Sequence, residues 1–126
     1  MLEKLSKVAL DQYRKDGFYH PLCALNEKEV ACCRADVELV EKKHLKKIGG
    51  TLRHKPHLLL TSLDAIVRNT AILDSVEDLI GPDILVWASL FFTKECNDQR
   101  FVGWHQDSTY YGLEPPESVT AWIAFT

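Results

Sequence analysis

His105 and Asp107 lie two residues apart in the stretch Trp104-His105-Gln106-Asp107, and together they could hold a metal ion. On an extended segment, side chains two apart share a face, which brings an imidazole nitrogen and a carboxylate oxygen to one point. That pair is two of the three ligands of the 2-His-1-carboxylate facial triad, which holds Fe(II) and leaves coordination positions open. The third ligand, a second His, has to come from another strand, and no His lies between Asp107 and Thr126. The spacing is weak evidence by itself. With five His and nine Asp in 126 residues, a chance His-x-Asp is expected in roughly a third of such chains. The plain alternative is a strand end, with His105 half-buried and Asp107 capping the turn that follows.

The elements that must position this pair follow from the hydrophobic pattern. Leu2 to Lys15 predicts an amphipathic helix with Leu5, Val8 and Gln12 on one stripe, stopped by Gly17. Phe18 to Cys23 has strand character, with Pro21 marking an edge position. Asn26 followed by Glu29 resembles a capping box. Val30, Cys33, Val37 and Val40 continue it as a helix to about Lys47, ended by Gly49-Gly50. Its outer face carries Glu38, Glu41, Lys42, Lys43, Lys46 and Lys47, a solvated charge run. Ser62 to Arg68 and Thr70 to Ile80 predict two short helices, with Ser62 and Thr70 as N-caps and Gly81-Pro82 as a stop. After Pro82 the composition changes. Ile84 to Thr93 is rich in β-branched and aromatic residues and predicts a strand covered on both faces. Cys96 to Gln99 is a polar turn, and Val102 to Asp107 and Val119 to Phe125 are further strands. Helices first and strands later imply an α+β architecture, a helical layer packed on an antiparallel sheet.

Between these halves, His54-Lys55-Pro56-His57 superficially suggests a metal pair. Pro56 stops the helical i, i+4 geometry that commonly brings two His together, so a loop near the site's mouth is expected. Arg53 or Lys55 there could meet an anionic cosubstrate or substrate. His20 and His44 are expected to be structural or solvent-facing.

Composition excludes several function classes. A chain of 126 residues with 46% hydrophobic and 26% charged residues suits at most one soluble domain. A net charge of −3 gives no electrostatic footprint for nucleic acid or an anionic membrane. No apolar run reaches the roughly 18 residues of a membrane span. Lys4, Lys7 and Asp11 interrupt any signal-peptide core, so a cytoplasmic location is expected. Cys23, Cys32, Cys33 and Cys96 lack the spacing of a zinc knuckle or disulfide framework, which suggests free, mostly buried thiols in a reducing compartment.

The run Trp104-His105-Gln106-Asp107-Ser108-Thr109-Tyr110-Tyr111-Gly112-Leu113-Glu114-Pro115-Pro116, continued by Val119-Thr120-Ala121-Trp122-Ile123-Ala124-Phe125, resembles the phytanoyl-CoA dioxygenase family of Fe(II)/2-oxoglutarate-dependent oxygenases. Upstream, Gly81-Pro82-Asp83-Ile84-Leu85 with Phe91-Phe92-Thr93-Lys94 is similar to the family's strand leading into the metal motif. Tyr13-Arg14-Lys15-Asp16-Gly17-Phe18 fits its usual start. The resemblance implies that the sheet is a double-stranded β-helix, a jelly-roll, cupin-like barrel. It implies a helical layer over about residues 1–81 and the first barrel strands over about 82–126. His105 and Asp107 would ligate Fe(II), and Gln106, Trp122 and Leu90 would line the 2-oxoglutarate pocket. Trp87, Phe91 and Phe92 are expected in the core, Tyr110 and Tyr111 in loop packing or at the substrate mouth.

The implied reaction uses O2 and converts 2-oxoglutarate to succinate while hydroxylating a substrate. Family relatives that halogenate have a small residue at the position matching Asp107, so the carboxylate here points to hydroxylation. Known family substrates include acyl-CoA thioesters, small amino-acid-like solutes and natural-product intermediates, and a small-molecule substrate is expected. A barrel of this type needs about eight strands, and the family places its second iron-binding His and its 2-oxoglutarate-binding Arg in later strands. The expectation is therefore the N-terminal portion of a longer domain, inactive as an isolated 126-residue polypeptide. The alternative from another class is a non-catalytic, cupin-like module that binds a metal or ligand without turnover.

Overall fold

The computed structural model describes residues 5–44, 53–94 and 96–126. Helix α1 covers Lys7–Asp16, capped by the Ser6 side chain accepting from the Ala9 amide. It begins later than the hydrophobic pattern suggested. Residues 1–4, including Leu2, lie outside the described residues. Its inward residue is Ala9, 2% exposed; of the expected Leu5–Val8–Gln12 stripe, Leu5 and Gln12 are half-buried, while Val8 is 76% exposed and lies off the packed side. Gly17 ends the helix as expected. Its φ of 78° is open to glycine at little cost, and its amide donates to the Tyr13 carbonyl at 2.8 Å.

The capping box before α2 (Glu27–His44) forms as its residue types require. Asn26 Oδ1 accepts from the amides of Lys28 and Glu29 at 2.9 and 3.1 Å, and Glu29 Oε2 accepts from the Asn26 amide at 2.7 Å. Along the helix, Val30, Val37 and Val40 are half-buried and Cys33 is buried, matching the expected stripe. The expected continuation to Lys47 and the stop at Gly49-Gly50 fall outside the described residues.

A short 3-10 turn at Pro56–Leu58 leads into α3 (Thr61–Val67) and then α4 (Thr70–Ile80). Both helices lie close to their predicted spans, but the caps differ. Leu60 precedes α3 and makes no side-chain cap. Asn69, not Thr70, caps α4, its Oδ1 accepting from the amides of Ala71 and Ile72 at 2.9 and 3.3 Å. Helix α3 lies against both α2 and α4, and Cys33, Leu63, Ile66 and Ile72 form the core between them. Leu60, Val76, Phe91, Ile123 and Phe125 pack on its margin.

The expected sheet is not present among the described residues, and this overturns the α+β, double-stranded β-helix reading. The described residues are largely helical, with irregular connections where strands were expected. Ile84 to Thr93, Val102 to Asp107, Val119 to Phe125 and Phe18 to Cys23 form no ladder. The described pairing is a single antiparallel bridge between His54 and Leu90, with Lys55 N donating to Ser89 O at 2.8 Å and Phe91 N to Arg53 O at 3.1 Å. β-rich composition favours extended backbone, but a strand is completed only by partner backbone that takes up its N–H and C=O groups. Ile84 to Thr93 is likewise not covered on both faces. Leu85 is 80% and Leu90 52% exposed, and only Phe91 of this run packs against the core. Trp87 and Phe92, expected in the core, are exposed. Trp87 packs on Tyr111 in a tilted arrangement with ring centroids 5.8 Å apart.

All four cysteines are free, but Cys33 alone is buried and Cys23, Cys32 and Cys96 are exposed, so the thiols are not mostly buried. Burial pushes the Cys33 thiol above its ordinary pKa against a smaller lowering effect of the Ser62 side chain, and the thiol faces the Ser62 carbonyl. A thiol kept protonated is a poor nucleophile. Iodoacetamide on the native protein is expected to label Cys23, Cys32 and Cys96 and to spare Cys33 until denaturant is added. Equal labelling of all four, read by mass spectrometry, would contradict the α2–α3 packing.

Candidate functional site

The chain from Phe101 to Gln106 forms no regular element and is exposed, and Asp107, with φ −59° and ψ −38°, leads into α5 (Ser108–Tyr111). The turn is held by backbone: Thr109 N donates to Gln106 O at 3.2 Å and Tyr110 N to Asp107 O at 2.9 Å. Asp107 occupies the N-cap position, yet its carboxylate makes no cap. A carboxylate there ordinarily accepts from the helix amides. Here both oxygens go to side chains. Asp107 Oδ1 lies 3.0 Å from His105 Nε2, and Oδ2 accepts from the Thr120 hydroxyl. The reading of Asp107 as a simple turn cap therefore fails.

His105 is oriented from its other side. Its Nδ1 lies 2.8 Å from the Gly103 carbonyl oxygen, which can only accept, so Nδ1 carries a proton. The Tyr110 ring meets the imidazole edge-on, centroids 5.8 Å apart. With oxygen acceptors facing both nitrogens, the ring favours its protonated form. The Gly103 carbonyl raises the His105 pKa above its ordinary value, opposed by desolvation and aided further by the Asp107 carboxylate. A cation at Nε2 would take the place of the proton there. The side chains of His105 and Asp107 are 38% and 29% exposed, so the pair is open to solvent.

Two ligands at about 2.1 Å from a metal, in adjacent positions at right angles, lie about 3.0 Å apart. The Nε2–Oδ1 separation of 3.0 Å matches that edge, and the Gly103 contact leaves Nε2 as the nitrogen free to ligate. Among the described residues, no third His, Cys, Asp or Glu joins the pair.

The other site residues expected from the sequence are not gathered around the pair by side-chain contacts. Gln106 lies between the two donors along the chain and is exposed. Trp122 is 78% exposed, outside the core, and packs on Phe92 with ring centroids 5.4 Å apart. It lies two residues beyond Thr120, whose hydroxyl reaches Asp107. Leu90 pairs with His54 in the isolated bridge. His57 Nδ1 is hydrogen-bonded to the Ser89 hydroxyl. His20 stacks on Phe18. Sequence reasoning missed Gly103 and Thr120. A hydroxyl thirteen residues beyond the carboxylate follows no helical or strand period, so no local signal marked it.

An imidazole and a carboxylate at this separation form the kind of donor pair used by metalloproteins. The family model for phytanoyl-CoA dioxygenase (PhyH) matches residues 13–126, and the chain belongs to the phytanoyl-CoA dioxygenase family. That family is one of Fe(II)- and 2-oxoglutarate-dependent oxygenases. No curated protein and no solved structure matches the chain. No helix among the described residues is long and apolar enough to cross a membrane.

Proposed function

We propose that this chain supplies two Fe(II) ligands, His105 and Asp107, of an oxygenase that hydroxylates a small organic or acyl substrate at the expense of 2-oxoglutarate. The observation that carries the reading is the 3.0 Å approach of His105 Nε2 to Asp107 Oδ1, within a chain of this family. Fe(II) held there supplies O2 activation coupled to decarboxylation of 2-oxoglutarate. The protein's own residues orient the donors: the Gly103 carbonyl selects the Nδ1-protonated tautomer, and the Asp107 charge offsets that of the cation. The third ligand, a His in this reading, and the Arg for the distal carboxylate of 2-oxoglutarate are contributed from outside the described residues. Gln106, Trp122 and Leu90 are the candidates in this chain for lining the cosubstrate pocket.

The test is succinate formation from 2-oxoglutarate by the protein at the length its gene encodes, with and without Fe(II), across acyl thioesters and small amino-acid-like acceptors. Fe(II)-dependent succinate release is expected. Metal binding without succinate under any of these conditions would favour a non-catalytic metal-binding module.

A further inference from the structure

Asp107 is positioned as a helix N-cap but does not act as one. Both of its oxygens are engaged by side chains, and the engagement is unsymmetrical. Oδ1 faces the imidazole, and Oδ2 receives the hydroxyl proton of Thr120, an exposed residue thirteen positions later. A carboxylate rotates readily about its last bond, so its two oxygens are equivalent until a neighbour distinguishes them. The donor that does so here belongs to a different segment. That segment is anchored, because Ile123 and Phe125 pack against the helical core.

We propose that Thr120 is a positioning residue of this site: its hydroxyl holds Asp107 Oδ2 and thereby presents Oδ1 beside His105 Nε2. The inference rests on the reading of His105 and Asp107 as metal ligands and deepens it. Ligating carboxylates are ordinarily hydrogen-bonded on their outer oxygen, and loss of such a partner typically costs about 10- to 100-fold in metal affinity. Without the hydroxyl, Asp107 is free to turn towards the amides of α5 as an ordinary cap, or to offer both oxygens at once. The same bond ties the core-packed segment to the site loop, so a metal-specific readout is needed to separate positioning from mere attachment.

The experiment is a Co(II) titration of the protein followed by its visible absorption, on wild type, Thr120→Val, Thr120→Ser and His105→Ala, with thermal unfolding of each metal-free variant alongside. Thr120→Val is expected to bind Co(II) about tenfold more weakly with an altered d–d spectrum. Thr120→Ser, which restores only the hydroxyl, should return both affinity and spectrum to near wild type. If Thr120→Val binds as wild type does while His105→Ala does not bind, the positioning role is overturned and the ligand assignment stands. Equal weakening in Thr120→Val and Thr120→Ser would also overturn it, since the hydroxyl would not be the cause. If His105→Ala binds Co(II) as wild type does, the ligand reading itself fails. Should Thr120→Val melt before the titration, the Thr120→Ser comparison still decides whether the hydroxyl suffices.

Discussion

His105→Ala and Asp107→Ala are each expected to reduce Fe(II)-dependent succinate formation by more than about 100-fold, a larger effect than loss of a hydrogen-bonded neighbour of a ligand. The two substitutions fail for different reasons. His105→Ala removes the nitrogen donor, and Asp107→Ala removes both a donor and the negative charge that offsets the cation. Asp107→Asn keeps one oxygen of similar shape but loses the charge and replaces the second acceptor oxygen with an amide donor, so its activity is expected to lie between wild type and Asp107→Ala. Unfolding does not account for the loss. The pair is partly exposed, and ion pairs of that kind contribute little to stability, so the thermal transition should be nearly unchanged in all three variants. The pH dependence has a defined sign. Metal must displace the Nε2 proton, and the Gly103 carbonyl and Asp107 hold the His105 pKa above its ordinary value. Metal uptake therefore weakens as pH falls through that raised pKa, earlier on the way down than for an unperturbed imidazole. Wild-type turnover in His105→Ala or Asp107→Ala at saturating Fe(II) would remove this pair from the metal site.

What could be read in advance was what is decided locally. The Asn26–Glu29 capping box and the Gly17 stop need only neighbouring backbone, and both formed as their residue types require. The cap of α4 was misplaced by one residue because Asn69 and Thr70 are both competent, and choosing between them depends on backbone φ and ψ. The encounter of His105 with Asp107 was legible, but its geometry was not. The two meet just before a turn, with Asp107 in the αR region, rather than along one face of a strand. Thr120 was illegible because its link to Asp107 depends on how the 118–125 segment is anchored, through Ile123 and Phe125, to helices far away in sequence. The strands failed for a related reason. Ile84 to Thr93 has every residue type that favours a sheet, yet a ladder is a property of two segments, and one segment's composition cannot supply its partner. In Val8 the helical period was recognised but its phase was not, since phase is set by which face the rest of the molecule covers.

Leu63→Ala is expected to destabilise the protein by about 2–5 kcal/mol, the cost of deleting buried methyl groups and leaving a cavity. The effect is large because of what α3 is. Seven residues, Thr61–Val67, with no side-chain cap at Leu60, are too few to hold a helix in water, where even good sequences need about 12–15 residues. Its order therefore comes from packing. Leu63, 6% exposed, shares the buried cluster with Cys33 of α2 and Ile72 of α4. The cluster is small, and single domains are stable by only about 5–15 kcal/mol in total, so one truncation removes a substantial fraction. Val8→Ala serves as the control. Val8 is 76% exposed, and substitutions at such positions usually stay within about 0.5 kcal/mol. Urea denaturation should give a much lower midpoint for Leu63→Ala and an unchanged one for Val8→Ala, with Cys33 labelled at lower urea in the former. Ile123 and Phe125 pack on the same cluster, three and five residues beyond Thr120. Loosening the core therefore also loosens the segment whose hydroxyl holds Asp107, and Leu63→Ala should weaken Co(II) binding although it touches neither ligand. Coincident midpoints for the two variants would show that α3 is not held by this cluster.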